Sequence, residues 1–167
     1  MSSTVIAHAI APRLVLRGLE VWPEALAAIA RLGRRPLLLG RSDATRPLRR
    51  DLLARLQGSG LTVQSAELRH DCCEEDLGRL REETLGGATG ESPDLIIATG
   101  GGKVLDAGKL LAHRLDLPCV TVPTSAATCA GWTALSNVYT PGGAFLGDVS
   151  LARCPDLLVF DHAMVRQ

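Results

Sequence analysis

The sequence predicts an α/β fold: a mainly parallel sheet flanked by helices, with a β-hairpin insertion near the C-terminus. Three observations predict it. Short apolar runs alternate with stretches of helical period across residues 23–122, the pattern of strand–helix–strand crossovers. Residues 94–109 read DLIIATGGGKVLDAGK: an apolar run, three glycines, then a lysine that opens a helix. After Ala130 the rhythm changes, and two strand-like segments flank Pro141-Gly142-Gly143, a hairpin signal.

Taken in order, residues 5–16 mix apolar and polar side chains and read as an edge strand or a hairpin arm. Residues 23–32 read as a helix that Gly33 stops. Residues 36–39 are a short apolar strand ending at Gly40. Asp43 or Thr45 then caps a helix with Leu48, Leu52, Leu53 and Leu56 on one face, and residues 58–60 stop it. Residues 61–66 are a strand, residues 73–85 a helix, and residues 86–93 a polar, glycine-rich connection. Residues 95–98 are a third strand, 103–115 a helix and 118–122 a fourth strand. Residues 135–140 and 144–149 make the hairpin, and residues 157–160 form another apolar strand. This succession specifies a Rossmann-like sheet with right-handed crossovers. Ligands of such sheets bind beyond the carboxyl ends of the strands. Residues 40–42, 100–102 and 123–128 fall at such ends, so three polar loops are expected to converge on one rim.

Gly100, Gly101 and Gly102 remove side chains where a turn must be tight and a ligand must approach the backbone. Free N–H groups at the helix start attract phosphate, and Lys103 adds charge. Lys103 and Asp106 share a helix face at i,i+3, as do Asp106 and Lys109, while Val104, Ala107, Gly108 and Leu111 make the packing face. The chain has sixteen arginines and only two lysines, Lys103 and Lys109. In a chain that otherwise uses arginine, a lysine point charge is selected here for a reason. The pattern points to a phosphate-bearing ligand; the alternative is a tight turn with a surface ion pair. The spacing is neither G-x-G-x-x-G nor a P-loop.

The loop at residues 123–130 leaves a buried strand carrying Thr124, Ser125 and Thr128. Its hydroxyls are open to two readings, contacts with amide or ribose oxygens, or helix capping by Thr124 or Ser125. Cys129 has no histidine nearby in sequence and reads as a small packed hydrophobe rather than a nucleophile. Tyr139 suits either the cleft or a cross-strand role. His8, His70, His113 and His162 include no i,i+4 pair, so metal binding by this chain alone is not expected. Asp156 is expected to cap or turn, and Asp161 to hold loop geometry.

A length of 167 residues fits one domain with a real core. No apolar run reaches about 18 residues, which argues against a membrane span. The N-terminal segment lacks a secretory pattern, and an odd count of five cysteines argues against a full disulfide set. A reducing cytoplasm is the expected compartment. The net charge is zero but uneven: residues 1–60 carry ten basic and four acidic groups, and residues 61–167 carry eight and fourteen. The basic part has almost no aromatics to stack bases, so it reads as solvated surface and not as a nucleic-acid site. Arg41 and Arg46 are placed to reach a cofactor phosphate.

Together these segments resemble the N-terminal domain of the superfamily of iron-containing alcohol dehydrogenases, glycerol dehydrogenases and dehydroquinate synthases, and most of all its polyol branch. The resemblance runs through Gly100-Gly101-Gly102-Lys103 with Asp106 and Lys109, and through Pro123-Thr124 and its loop. It continues through Ala134-Leu135-Ser136 to Tyr139 and through Pro155-Asp156 to Asp161. It implies an oxidoreductase whose glycine turn cradles the dinucleotide pyrophosphate. Asp106 and Lys109 then lie near the cofactor, and Thr124 and Thr128 line its adenine or nicotinamide surroundings. It also implies hydride transfer between an alcohol- or aldehyde-type substrate and NAD(P), assisted by zinc or iron, in a homo-oligomer.

Two departures qualify the resemblance. Cys129 stands where glycerol dehydrogenases usually have an aspartate, and Gly131-Trp132 stands where Pro-Thr is expected. A thiol does not replace a carboxylate that accepts two hydroxyl donors, and Trp132 adds bulk, so a less polar alcohol or aldehyde than glycerol is expected. The family's metal ligands, an aspartate soon after the last strand and two histidines in a C-terminal helical domain, lie beyond Gln167. The expectation is therefore that residues 1–167 are the dinucleotide-binding domain without the metal-binding domain, inactive alone, with zinc or iron only in the full-length enzyme. A non-catalytic dinucleotide- or partner-binding remnant, a dehydroquinate synthase-like enzyme and a glycerol-1-phosphate dehydrogenase-like enzyme remain alternatives. For the cofactor, Ser42 and Asp43 after the strand favour the ribose diol of NAD, whereas Gly40, Arg41, Ser42 and Arg46 would accommodate the extra phosphate of NADP. NAD is the expectation.

Overall fold

The computed structural model describes residues 10–85 and 92–165. In chain order the elements are β1 (Leu14–Gly18), α1 (Trp22–Leu32), β2 (Pro36–Gly40), α2 (Arg46–Gly58), β3 (Gln64–Glu67), α3 (Glu74–Leu85) and β4 (Leu95–Gly100). There follow α4 (Gly102–Leu115), β5 (Cys119–Pro123), β6 (Leu135–Tyr139), β7 (Phe145–Ser150), β8 (Leu157–Asp161) and α5 (His162–Val165). Six strands form one sheet in the order β1-β8-β5-β4-β2-β3, with every neighbouring pair parallel. β6 and β7 form a separate antiparallel hairpin, as expected from Pro141-Gly142-Gly143.

The strand periodicity divides the core between two faces. Leu38, Leu95, Ile97, Val120 and Val122 point to one layer, where they meet Ala25 and Ile29 of α1 and Leu52 and Leu56 of α2. Leu37, Leu39 and Ile96 point to the other, against Leu77 and Leu80 of α3 and Val104, Ala107 and Leu111 of α4. β2, β4 and β5 are buried at every position, which is why they read as unbroken apolar runs and not as alternating ones. Truncating a fully buried residue such as Ile97 to alanine is expected to cost about 2–5 kcal/mol.

Three element expectations shift. The strand expected at residues 61–66 begins at Gln64, because residues 61–62 close the preceding helix. Leu61 N–H donates to Leu56 O, and Gly60 takes φ +84°, a left-handed conformation that glycine adopts without a Cβ penalty. Neither Asp43 nor Thr45 caps α2 with its side chain. Thr45 Oγ1 instead donates to Ser42 O and accepts from Arg49, while Asp43 pairs with Arg46. Of the two readings of the N-terminal segment, the edge strand is the one present, β1 beside β8; residues 5–9 and the connection at 86–91 lie outside the described residues. No described helix is long and apolar enough to cross a membrane.

Candidate functional site

β2, β4 and β5 are adjacent in the sheet, so the loops that follow them lie side by side at one rim. Gly100 and Pro123 are register partners, and Thr124 N–H donates to Gly100 O at 3.1 Å, tying the second loop to the glycine turn. Gly100 has φ +157°, and a Cβ there would lie 3.0 Å from the Val104 side chain. A Cβ on Gly102 would stand 2.9 Å from Thr128 Oγ1, whereas one on Gly101 would meet nothing within 4 Å. The turn is thus crowded on the protein side and open on the solvent side. Val104 and Leu105 both donate to Gly101 O, which leaves the N–H groups of Gly102 and Lys103 at the open first turn of a fourteen-residue helix. An anion fits that arrangement.

A cavity of about 270 Å³ lies against the turn, lined by Gly102, Lys103, Asp106, Thr128, Asn137 and Tyr139, with Cys129, Ala130, Thr133 and Leu135 completing the wall. Cys129 is exposed, not packed as expected. Trp132 is not among the residues that line this cavity. Tyr139 takes both of its expected roles: it faces the cavity and also packs edge-on against Phe145 across the hairpin. Its ring lies 4.9 Å from Lys103 Nζ, a cation–π contact.

The two lysines have different partners. Lys103 pairs with Asp71 and not with Asp106. Lys109 and Asp106 do pair, at 3.1 Å, but as a buried ion pair and not a surface one. Lys109 also donates to Thr133 Oγ1, Thr133 O and Leu135 O, and Ser136 Oγ donates to Asp106 O. These bonds pin β6 to α4 and so fix Asn137 and Tyr139 beside the turn. Burial pushes the Asp106 carboxyl above its ordinary value, with Lys109 and the Asn137 N–H offsetting only part of it.

Asp71 is the residue that sequence reasoning missed. It is buried on the turn after β3 and bridges Arg41, from the end of β2, to Lys103, at the start of α4. Its partners are 30 and 32 residues away in the chain; the available signal was its position after a strand carboxyl end, on the same rim as the other loops. The other expected rim residues, Ser42 and Asp43, are exposed beyond β2. Asp43 is engaged by Arg46, which lies 3.7 Å from Glu67, and Arg49 also pairs with Glu67. The hydroxyl loop folds on itself: Ser125 Oγ accepts from Ala127 N–H and Thr128 Oγ1 from Ala130 N–H, both at 3.1 Å. Asp156 accepts from Cys119 N–H, and Asp161 from Trp22 Nε1 and Ala163 N–H, the structural roles expected of both. Among the described residues, one group of three potential metal ligands lies within coordination reach, His70, Cys73 and Asp76, and it is not part of the cavity wall.

Comparison with known proteins gives the family and the fold. The family described as iron-containing alcohol dehydrogenase matches residues 12–162. An uncharacterised oxidoreductase of Synechocystis sp. is 41% identical over 167 residues, 100% of this chain and 42% of that protein. A glycerol dehydrogenase of Thermotoga maritima is 40% identical over 95 residues, 57% of this chain and 25% of that protein. The crystal structure of glycerol dehydrogenase from Schizosaccharomyces pombe superposes with a TM-score of 0.83 at 22% identity, covering 97% of this chain and 40% of that one, a likeness of fold. The chain therefore spans less than half the length of the relatives it matches.

Proposed function

The chain belongs to the iron-containing alcohol dehydrogenase family, and from that premise we propose that residues 1–167 form the nicotinamide-dinucleotide-binding half of a metal-dependent alcohol or polyol dehydrogenase. The observation that carries this reading is the glycine turn, open over Gly101 and closed behind by Val104 and Thr128, at the N-terminus of α4 beside the cavity. The turn and the first N–H groups of α4 hold the pyrophosphate, and Lys103 neutralises part of its charge. Thr124 and Thr128 flank the dinucleotide, and Ser42 and Asp43 face its adenosine ribose. Asp106 orients the nicotinamide end, with Lys109 acting through Asp106 and β6.

NAD rather than NADP is supported by the pairing at the end of β2. Arg41, Arg46 and Arg49 are each engaged by a carboxylate, from Asp71, from Asp43 and Glu67, and from Glu67 respectively. Recruiting any of them to a 2′-phosphate would break an existing ion pair.

Asp106 is the single carboxylate of the cavity wall, so the residues here do not hold a catalytic metal by themselves. The metal's ligands would come from the metal-binding domain that the family resemblance implies. When bound, the metal acts as a Lewis acid on the substrate oxygen. The part of this chain is to bind and orient the cofactor and to wall off water. Alone it is expected to bind dinucleotide without turnover, because several kcal/mol of transition-state stabilisation are lacking. Cys129 on the wall supports a substrate less polar than glycerol. Exposed Phe145 and Leu146 on the hairpin support self-association or cover by a further domain.

Titration calorimetry with NADH and NADPH tests the reading. NADH should bind, with NADPH weaker by about tenfold or more, a difference of about 1.4 kcal/mol. Binding of neither would overturn the dinucleotide role of this chain, and preference for NADPH would overturn the pairing argument.

A further inference from the structure

Away from the cavity, the turn between β3 and α3 gathers three side chains of metal-binding type. One ring nitrogen of His70, the sulfur of Cys73 and one oxygen of Asp76 all lie within 4.8 Å of one another. His70 Nδ1 stands 3.6 Å from Asp76 Oδ1. Tetrahedral coordination with bonds of about 2.0–2.3 Å needs ligand atoms about 3.5 Å apart, so small side-chain shifts close the set. The spacing, with one ligand every third residue, comes from the chain turning into the first turn of α3. No sequence pattern of zinc type announces it.

Two features separate this cluster from an ordinary surface histidine beside an acid. First, His70 Nδ1 is buried without a hydrogen-bond partner, and so is Arg79 Nε on the same helix as Asp76. These are two of the three such atoms among the described residues, and unmatched buried polar atoms call for a ligand or an ordered water. Second, Asp76 is already oriented as an outer shell would orient it. Its Oδ2 accepts from the N–H groups of Arg69 and His70 at 2.8 and 2.7 Å, which turns Oδ1 toward the histidine. Arg79 Nη2 donates a long bond of 3.3 Å to Oδ1, which a cation would replace, and Arg79 keeps Glu83 as a partner at 2.8 Å. The His70 side chain is 43% exposed, so the turn lies at the surface, while His70 Nδ1, Cys73 and Asp76 are buried.

The geometry points to a site for a borderline-soft divalent cation of the Zn²⁺ class, held by His70, Cys73 and Asp76 with water in the remaining position. The mixed nitrogen, sulfur and oxygen set suits Zn²⁺ or Co²⁺ and not Mg²⁺ or Ca²⁺, which take oxygen ligands. Binding sends the Cys73 thiol proton to solvent. The cation pins the β3–α3 turn, which also carries Asp71 and whose Cys72 O accepts from Tyr139 N–H. None of the residues that line the cavity belongs to this set.

Cobalt is the probe, because Zn²⁺ is spectroscopically silent. Titrating the reduced protein with Co²⁺ should produce a near-ultraviolet sulfur-to-cobalt charge-transfer band saturating at one equivalent, and Zn²⁺ should abolish it by displacement. His70→Ala and Cys73→Ser should each lose the band and weaken binding by more than about tenfold, while Cys72→Ser keeps it. His70 is half-exposed, so its variant is expected to fold and decides the matter if Cys73→Ser does not. Absence of the band, or a band that survives His70→Ala, overturns the site. Neither result depends on dinucleotide binding.

Discussion

Helix α4 carries two lysines, each beside an aspartate, and the two pairs sit in opposite environments. Lys103, on the first turn, is 45% exposed and reaches Asp71 from another loop. Lys109, two turns later, is 1% exposed and reaches Asp106 on its own helix. The ammonium of Lys109 has three protons and four acceptors around it, Asp106 Oδ1, Thr133 Oγ1, Thr133 O and Leu135 O, so none remains for a ligand. Lys103 shares its carboxylate with Arg41 and lies against an aromatic ring at the cavity edge. The lesson is that residue type does not assign the role. Two lysines six positions apart divide into a buried clamp and a half-exposed bridge to another loop because burial and acceptor count differ.

Removing each charge in turn, with stability measured by urea unfolding, should show the largest difference between the two lysines. Lys109→Met leaves a buried Asp106 without its cation and should cost about 3–5 kcal/mol. Lys103→Met should cost under about 1 kcal/mol, because its pair is open to solvent on one side. Equal losses would mean that the burial difference has no energetic weight.

Ligand binding sharpens the same contrast from the other side. Lys103→Met should weaken NADH by about 1.5–3 kcal/mol, roughly tenfold or more, through loss of a charge-assisted contact to phosphate. Unchanged NADH affinity in a folded Lys103→Met protein would remove Lys103 from the proposed site.

The smallest effect is a pH dependence that belongs to the buried pair alone. Burial raises the Asp106 carboxyl above its ordinary value of 3.8, so the folded state holds that proton more tightly than the unfolded chain. The contribution of this group is fully present below 3.8 and is lost as pH rises through the raised folded value. Asp106→Asn cannot titrate, so thermal melts across that window should show a flatter stability profile than the parent. Superimposable profiles would place Asp106 in a wetter setting than the structure has.

Much of the fold was legible because its signals are local. The apolar runs in β2, β4 and β5 and the hairpin turn at Pro141-Gly142-Gly143 each announce themselves within a few residues. The glycine turn and the rim followed from strand-end placement. The partners of the charged residues were not legible. Asp43 and Thr45 looked like caps by proximity, yet both were drawn into the Arg46 and Arg49 network. Lys103 and Asp106 looked like a helical pair at i,i+3, yet Asp71 competes from a different loop.

Residues close in the chain suffice for the succession of strands and helices, for the glycine turn at Gly100, Gly101 and Gly102, and for the family resemblance. Only the tertiary structure decided that Asp71 joins the rim, that Lys109 is a clamp, and that His70, Cys73 and Asp76 share one focus. The physical reason is that charge and ligand interactions depend on distance and burial. Both are fixed by which strands become neighbours in the sheet, β2 beside β4 and β4 beside β5, and not by separation along the chain.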